Sequence, residues 1–324
     1  MSWMELSLDT THEAVDWVCT LLAEIKDIDD VRITEYSGSN LSQPCERDVA
    51  QPSWTFTIRF YLNHQKCSRE HVEKIVNLLL PLNRTGLATE LQVRVVDDKP
   101  TQDEELNPFI HRIGQRFVVL APDALYQSET ANDIPLRLKT TLSFGSGLHP
   151  ATMLSLRLIE RYIVPSMNVL DLGSGSGILS IGMAKLGATV LALDNDSTAV
   201  QATQDSVYRN GVEQQVTVME GSLGGGSELG HWMGGDTSEI VPKVEATQRF
   251  DVIVANILAR VHIALADDFH RALRRTTAYP GLLITAGFTT DYEQEITSSL
   301  TEAGFETIDC ERFNEWVALA HRLA

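Results

Sequence analysis

Along the first stretch of the chain Met4, Leu6 and Leu8 alternate with Trp3, Glu5 and Ser7, the period of two that marks a half-buried strand. Ala14, Val15, Val18, Leu21, Leu22 and Ile25 then recur at helical spacing. A polar stretch over 37–53 intervenes. It is followed by a strand-like run at 55–62, a helical pattern at 70–80 and a strand at 90–96.

That order predicts a small α+β sandwich of ferredoxin-like type over residues 1–97. Charged residues with Pro100 and Pro108 mark a linker over 98–116, and a second domain is expected over 117–324. There the period changes. A short strand at 116–120 is followed, from Asn168 onward, by strand 169–172, helix 178–186, strand 189–193, helix 198–210 and strand 215–219. Such alternation predicts an α/β domain with a Rossmann-like, mostly parallel sheet. Later strands fall at 250–255 and 281–286. The segments 305–310 and 315–321 leave no room for a helix between them and predict an antiparallel C-terminal hairpin. A glycine-rich stretch, 221–248, reads as a mobile surface insertion.

Composition narrows the function classes. Hydrophobic residues are 43% and charged residues 22% of the 324, ordinary for a globular chain. The formal charge of -18 has the wrong sign for gripping a phosphate backbone, so no direct nucleic-acid partner is expected. An acidic surface attracts a basic protein, or serves solubility alone. Cys19, Cys45, Cys67 and Cys310 are scattered, which indicates neither a metal site nor a disulfide framework and leaves them as core thiols. With no signal-peptide pattern and no long apolar run, a cytoplasmic protein free of the membrane is expected, as a monomer.

The chemistry is concentrated in the stretch Asn168 to Ser180. An apolar strand runs into Gly173, Gly175 and Gly177 and then into a helix, the position at which open α/β sheets bind ligands. Glycine there lets the backbone take positive φ and approach a ligand closely. Asp194 closes the following strand, where its carboxylate can accept the hydroxyls of an adenosine ribose. A dinucleotide site would carry glycine at position 178, which is Ile178. The GxGxG spacing with Asp171 just before it favours S-adenosylmethionine, whose cationic centre makes a nearby carboxylate an asset.

With the glycine loop, three motifs carry a resemblance. One is Leu142 to Thr152, a glycine-rich segment ending His149-Pro-Ala-Thr152; the second is the loop itself with Asp194-Asn-Asp196 and Arg209-Asn-Gly211; the third is Asp251 to Ala259, containing Asn256-Ile-Leu-Ala. Together they resemble the ribosomal protein L11 methyltransferase family, from about Phe117 to Val317, with element order alone carrying it over 1–97. The resemblance implies a class I methyltransferase domain behind a ferredoxin-like recognition domain. It also implies S-adenosylmethionine as cofactor and methyl transfer to amino groups, lysine side chains or an N-terminal amine, of a basic ribosomal protein. Thr152, Gly173, Asp194 and Asn256 match the family's cofactor-binding positions. Phe144, Gly145, Gly147 and His149 match the loop flanking the transferred methyl.

Asn256 ends a strand beside the glycine loop, where its side-chain carbonyl could accept a hydrogen bond from an incoming amine. It reads as an orienter rather than a base; a plain strand-end turn residue is the bland alternative. His149 is a candidate general base or, as His-Pro at a loop-to-helix junction, a structural residue. The chain departs from the family in having no tryptophan over 97–116, in Ser146 and Ala151 standing where threonine is common, and in its longer insertion. Alternatives therefore stay open: a different protein or small amine as acceptor, or a non-catalytic regulator that binds the cofactor.

Overall fold

The computed structural model describes residues 2–23, 25, 28–36, 54–63, 68–98, 110–122, 124–139, 145–224, 241–245, 247–275 and 280–324. These gather into two compact units, one drawn from the ranges 1–110, 123–125 and 140–149, the other from 111–122, 126–139 and 150–324.

The smaller unit runs β1 (Trp3–Thr10), α1 (Val15–Ala23), β2 (Asp29–Glu35), β3 (Phe56–Asn63), α2 (Arg69–Arg84), β4 (Gln92–Val96). Its antiparallel sheet has the order β2-β3-β1-β4. The alternation in β1 sets the register, since Leu6 pairs with Phe60 and Leu8 with Ile58, and all four are buried. Val15, Val18 and Leu22 of α1 and Ile75, Leu79 and Leu82 of α2 complete that core. The sequence reading had no counterpart for β2, because only Val31 and Ile33 alternate there among charged neighbours.

In the larger unit α3 (Pro150–Tyr162) precedes β8 (Asn168–Leu172), α4 (Ile178–Lys185), β9 (Thr189–Asp194), α5 (Ser197–Asn210) and β10 (Val216–Glu220). There follow β13 (Val252–Asn256), α6 (Ala259–Ala264), α7 (Ala266–Ala272), β14 (Leu282–Thr289), α8 (Thr290–Glu302), β15 (Phe305–Phe313) and β16 (Trp316–Leu323). Among the described residues the main sheet is seven-stranded, ordered β10-β9-β8-β13-β14-β16-β15. It is parallel through β14, and the terminal hairpin adds β16 and β15 antiparallel, as the sequence predicts.

Its central strands, β9, β8, β13 and β14, are buried on both faces. Val169, Val190, Val252, Val254 and Ile284 pack into one cluster with α3 and α4, and Leu170, Leu191, Ile253 and Leu283 into the other with Phe269, Ile296 and Leu300. Two-sided burial explains why these strands read as nearly continuous apolar runs. Strand order reverses between β8 and β13, and ligands of such sheets bind outside the carboxyl ends of the strands at that point.

A second sheet, β5 (Ile110–Ile113), β6 (Phe117–Leu120) and β7 (Ile134–Arg137), includes two strands the pattern does not announce. β5 falls inside the stretch read as a linker, of which 99–109 lie outside the described residues. The glycine-rich insertion is bracketed by a two-residue parallel pair, β11 (Ser222–Leu223) with β12 (Lys243–Val244), and its residues 225–240 lie outside the described ones. Cys19 is a buried thiol, but Cys310 is exposed, which corrects its reading as a core residue: β15 is an edge strand whose alternate positions face solvent. Cys45 and Cys67 lie outside the described residues.

Candidate active site

The loop after β8 carries Gly173, Gly175 and Gly177 at φ 76, 54 and 81°, a region in which a Cβ meets steric opposition. It is tied to the end of β9, because Leu193 O accepts from Gly173 N at 2.8 Å and Ser174 N at 3.0 Å. Asp194 finishes that anchorage. Its Oδ2 accepts from Gly175 N at 2.8 Å and its Oδ1 from Asp196 N at 3.1 Å, while Asp196 caps α5 by accepting from Thr198 N. Ser174 Oγ and Thr203 Oγ1 lie 3.0 Å apart, and Thr203 donates to Gly175 O, so α5 braces the loop from behind.

Asp171, in β8, is fully buried. Ser180 donates to its Oδ2 at 2.5 Å, whereas Oδ1 has no partner among the described residues. Burial pushes its pKa up to about 7; the Ser180 hydrogen bond opposes the shift and the charge of Asp194 adds to it.

Asn256 closes β13 on the other side of the reversal in strand order. Its Nδ2 donates to Thr152 Oγ1 on α3 at 3.4 Å, and its buried Oδ1 has no partner among the described residues. The two elements touch: a Cβ on Gly173 would come within 2.6 Å of Ile257 Cγ2. Two buried acceptors lacking donors, beside a loop with the positive φ that glycine permits, fit a ligand that brings N–H or O–H groups and a positive charge.

Gly145, Gly147 and His149 belong to the smaller unit, and Phe144 lies outside the described residues. His149 is 1% exposed, and burial, with a smaller contribution from His12, lowers its pKa to about 3, so it is neutral near pH 7 and a weak proton acceptor. Asp16 on α1 holds this segment. Its Oδ2 accepts from Gly145 N at 3.0 Å and its Oδ1 from Ser146 N at 3.2 Å, although burial raises its pKa.

The model of a protein family described as ribosomal protein L11 methyltransferase (PrmA) matches residues 2–323. The chain belongs to that family. Relatives named ribosomal protein L11 methyltransferase include that of Chloroflexus aurantiacus, 36% identical over 332 residues and covering 99% of this chain and 98% of its own. That of Herpetosiphon aurantiacus is 36% identical over 327 residues, covering 99% of each chain. A crystal structure of a ribosomal protein L11 methylase from Lactobacillus delbrueckii subsp. bulgaricus aligns with a TM-score of 0.53 at 26% identity, covering 66% of this chain and 98% of that one. The family match reaches residue 2, into the region where motifs alone offered nothing.

Sequence reasoning missed Asp16, Ser180 and Thr203. Asp16 sits in the first turn of α1 among apolar neighbours, and a charged residue on a buried helical face was the one signal available. Ser180 and Thr203 carry no signal beyond their type.

Proposed function

We propose that this protein transfers methyl groups from S-adenosylmethionine to amino groups of ribosomal protein L11, lysine side chains and an N-terminal amine among them. The observation that carries the reading is the family match over residues 2–323 together with the juxtaposition of Gly173 and the Asn256 turn across the strand-order reversal. When bound, S-adenosylmethionine supplies a methyl group on a positively charged sulfur. Gly173, Gly175 and Gly177 would form its cradle, Asp194 would accept its ribose hydroxyls, and Asp171 Oδ1 would face its positive charge. Asn256 Oδ1 orients the incoming neutral amine; an amide has no basicity to take its proton. Thr152 steadies Asn256.

The smaller unit, with its βαββαβ order, serves as a ferredoxin-like recognition domain spanning about 1–97, followed by a linker over 98–116 and the catalytic domain over 117–324. The net charge of -18 favours a basic protein substrate. The enzyme is read as cytoplasmic and monomeric; among the described residues no helix is long and apolar enough to cross a membrane. Incubation with labelled S-adenosylmethionine and an unmethylated ribosomal extract tests the reading. Label in L11 alone, on lysine and the N-terminal amine after hydrolysis, is expected, and absence of label from L11 overturns it. Because residues 97–116 hold no tryptophan, label in another protein is the outcome that would favour a diverged acceptor.

A further inference from the structure

His262 on α6 is fully buried, and its Nε2 lies 3.1 Å from Ile257 O and 2.9 Å from Ala286 O. Carbonyl oxygens only accept, so Nε2 carries the proton and divides it between the two. Nδ1 is then bare, with no partner among the described residues, and the rings of Phe288 and Phe269 stand 5.4 and 6.4 Å away. Ile257 N donates to the same Ala286 O at 3.1 Å. Gly287 packs so closely that a Cβ would lie 2.5 Å from Ile257 O and 3.0 Å from Asn256 Oδ1. Both backbone polar groups of Ile257 are thus fixed, one by the end of β14 and the other by the imidazole.

We propose that His262 is a positioning residue: its Nε2–H cross-links the ends of β13 and β14 and so fixes the direction of Asn256 Oδ1 toward the amine. This rests on the reading of Asn256 as the amine orienter. Without the imidazole proton, Ile257 O has no donor among the described residues and the turn can rotate, with Asn256 at its root. His262→Leu is expected to lower kcat on the order of ten- to a hundred-fold, the usual cost of a small misplacement of reacting groups, while cofactor affinity by calorimetry is held. His262→Gln, which keeps an N–H donor, restores most of kcat. In an Asn256→Ala background the leucine substitution has no further effect on kcat.

A leucine variant that is folded and keeps wild-type kcat overturns the proposal, and so does an undiminished loss of kcat in the Asn256→Ala background. Ring-nitrogen NMR shifts of the wild-type protein test the same claim even if the leucine variant does not fold. They must report the Nε2–H tautomer, and a proton on Nδ1 is fatal to it. Failure of the underlying reading looks different, since Asn256→Ala alone would then leave kcat intact.

Discussion

The glycine loop and the Asn256 turn end neighbouring strands and are built in opposite ways. The loop draws on Asp171, Gly173, Gly175, Ser180, Asp194 and Thr203, one continuous β8-α4-β9-α5 stretch in which each partner follows within a few tens of residues. The turn is assembled from three separate elements, with Thr152 on α3, 104 residues earlier in the chain, His262 on α6 and Ala286 and Gly287 on β14 all converging on Asn256 and Ile257. A binding loop whose shape is demanded by its own backbone can be specified locally. A side chain that must point in one direction is specified by whatever packs around it.

The most damaging test is made where the two meet. Gly173→Ala puts a Cβ 2.6 Å from Ile257 Cγ2 on a backbone at φ 76°, adding about 1–2 kcal/mol of left-handed strain to a displaced Ile257. We expect kcat/KM to fall on the order of a thousand-fold, with cofactor affinity and kcat both affected. Initial rates with calorimetry separate the two, and a loss confined to cofactor affinity would show that the regions act independently. Asn256→Ala strikes the turn alone. Its kcat should fall on the order of a hundred-fold while cofactor affinity by calorimetry is unchanged, and a large loss of affinity would move Asn256 from amine to cofactor.

This contrast also sets what could be read from the sequence. The parallel sheet was legible because Val169 and Leu170, or Val190 and Leu191, face opposite apolar layers and leave uninterrupted hydrophobic runs. β5 and β7 were not, being four residues long, the first carrying His111 and Arg112 and the second Pro135. Gly173 and Asp194 announced themselves by type and spacing. Asp16 did not, because its acceptor role is fulfilled 129 residues away at Gly145, a separation no local pattern encodes. His262 is likewise an ordinary helical residue until α6 folds over the strand ends.

A smaller effect separates the buried carboxylate from the rest of the loop. Asp171 has its pKa raised from 3.8 to about 7, so the folded chain holds a proton that the unfolded chain releases. Its contribution to stability is present in full below pH 3.8, declines by up to about 1.4 kcal/mol per pH unit, and is gone once pH passes about 7. His149, His262 and His321, all lowered by burial, pull the other way below pH 6.5, so the comparison must be a subtraction. Across that window Asp171→Asn should gain stability relative to the wild type with rising pH, as read by urea unfolding at each pH. Parallel curves would mean that Asp171 stays ionised in the folded protein.

The smallest expected effect concerns the one side-chain bond that Asn256 makes among the described residues. At 3.4 Å, Asn256 Nδ2 to Thr152 Oγ1 is at the long end of hydrogen-bond geometry, while the backbone of the turn is held at 2.9–3.1 Å by Ala286 O and His262. Thr152→Val keeps the shape of a fully buried side chain and removes the hydroxyl, with it the acceptor for Asn256 Nδ2. If the turn's backbone does the orienting, this substitution lowers kcat by about two- to three-fold, the equivalent of a weak neutral bond. A loss as large as that of Asn256→Ala would instead make the helix α3 hydroxyl the element that aims the amide, and would shift the burden of positioning from β14 and α6 to the first turn of α3.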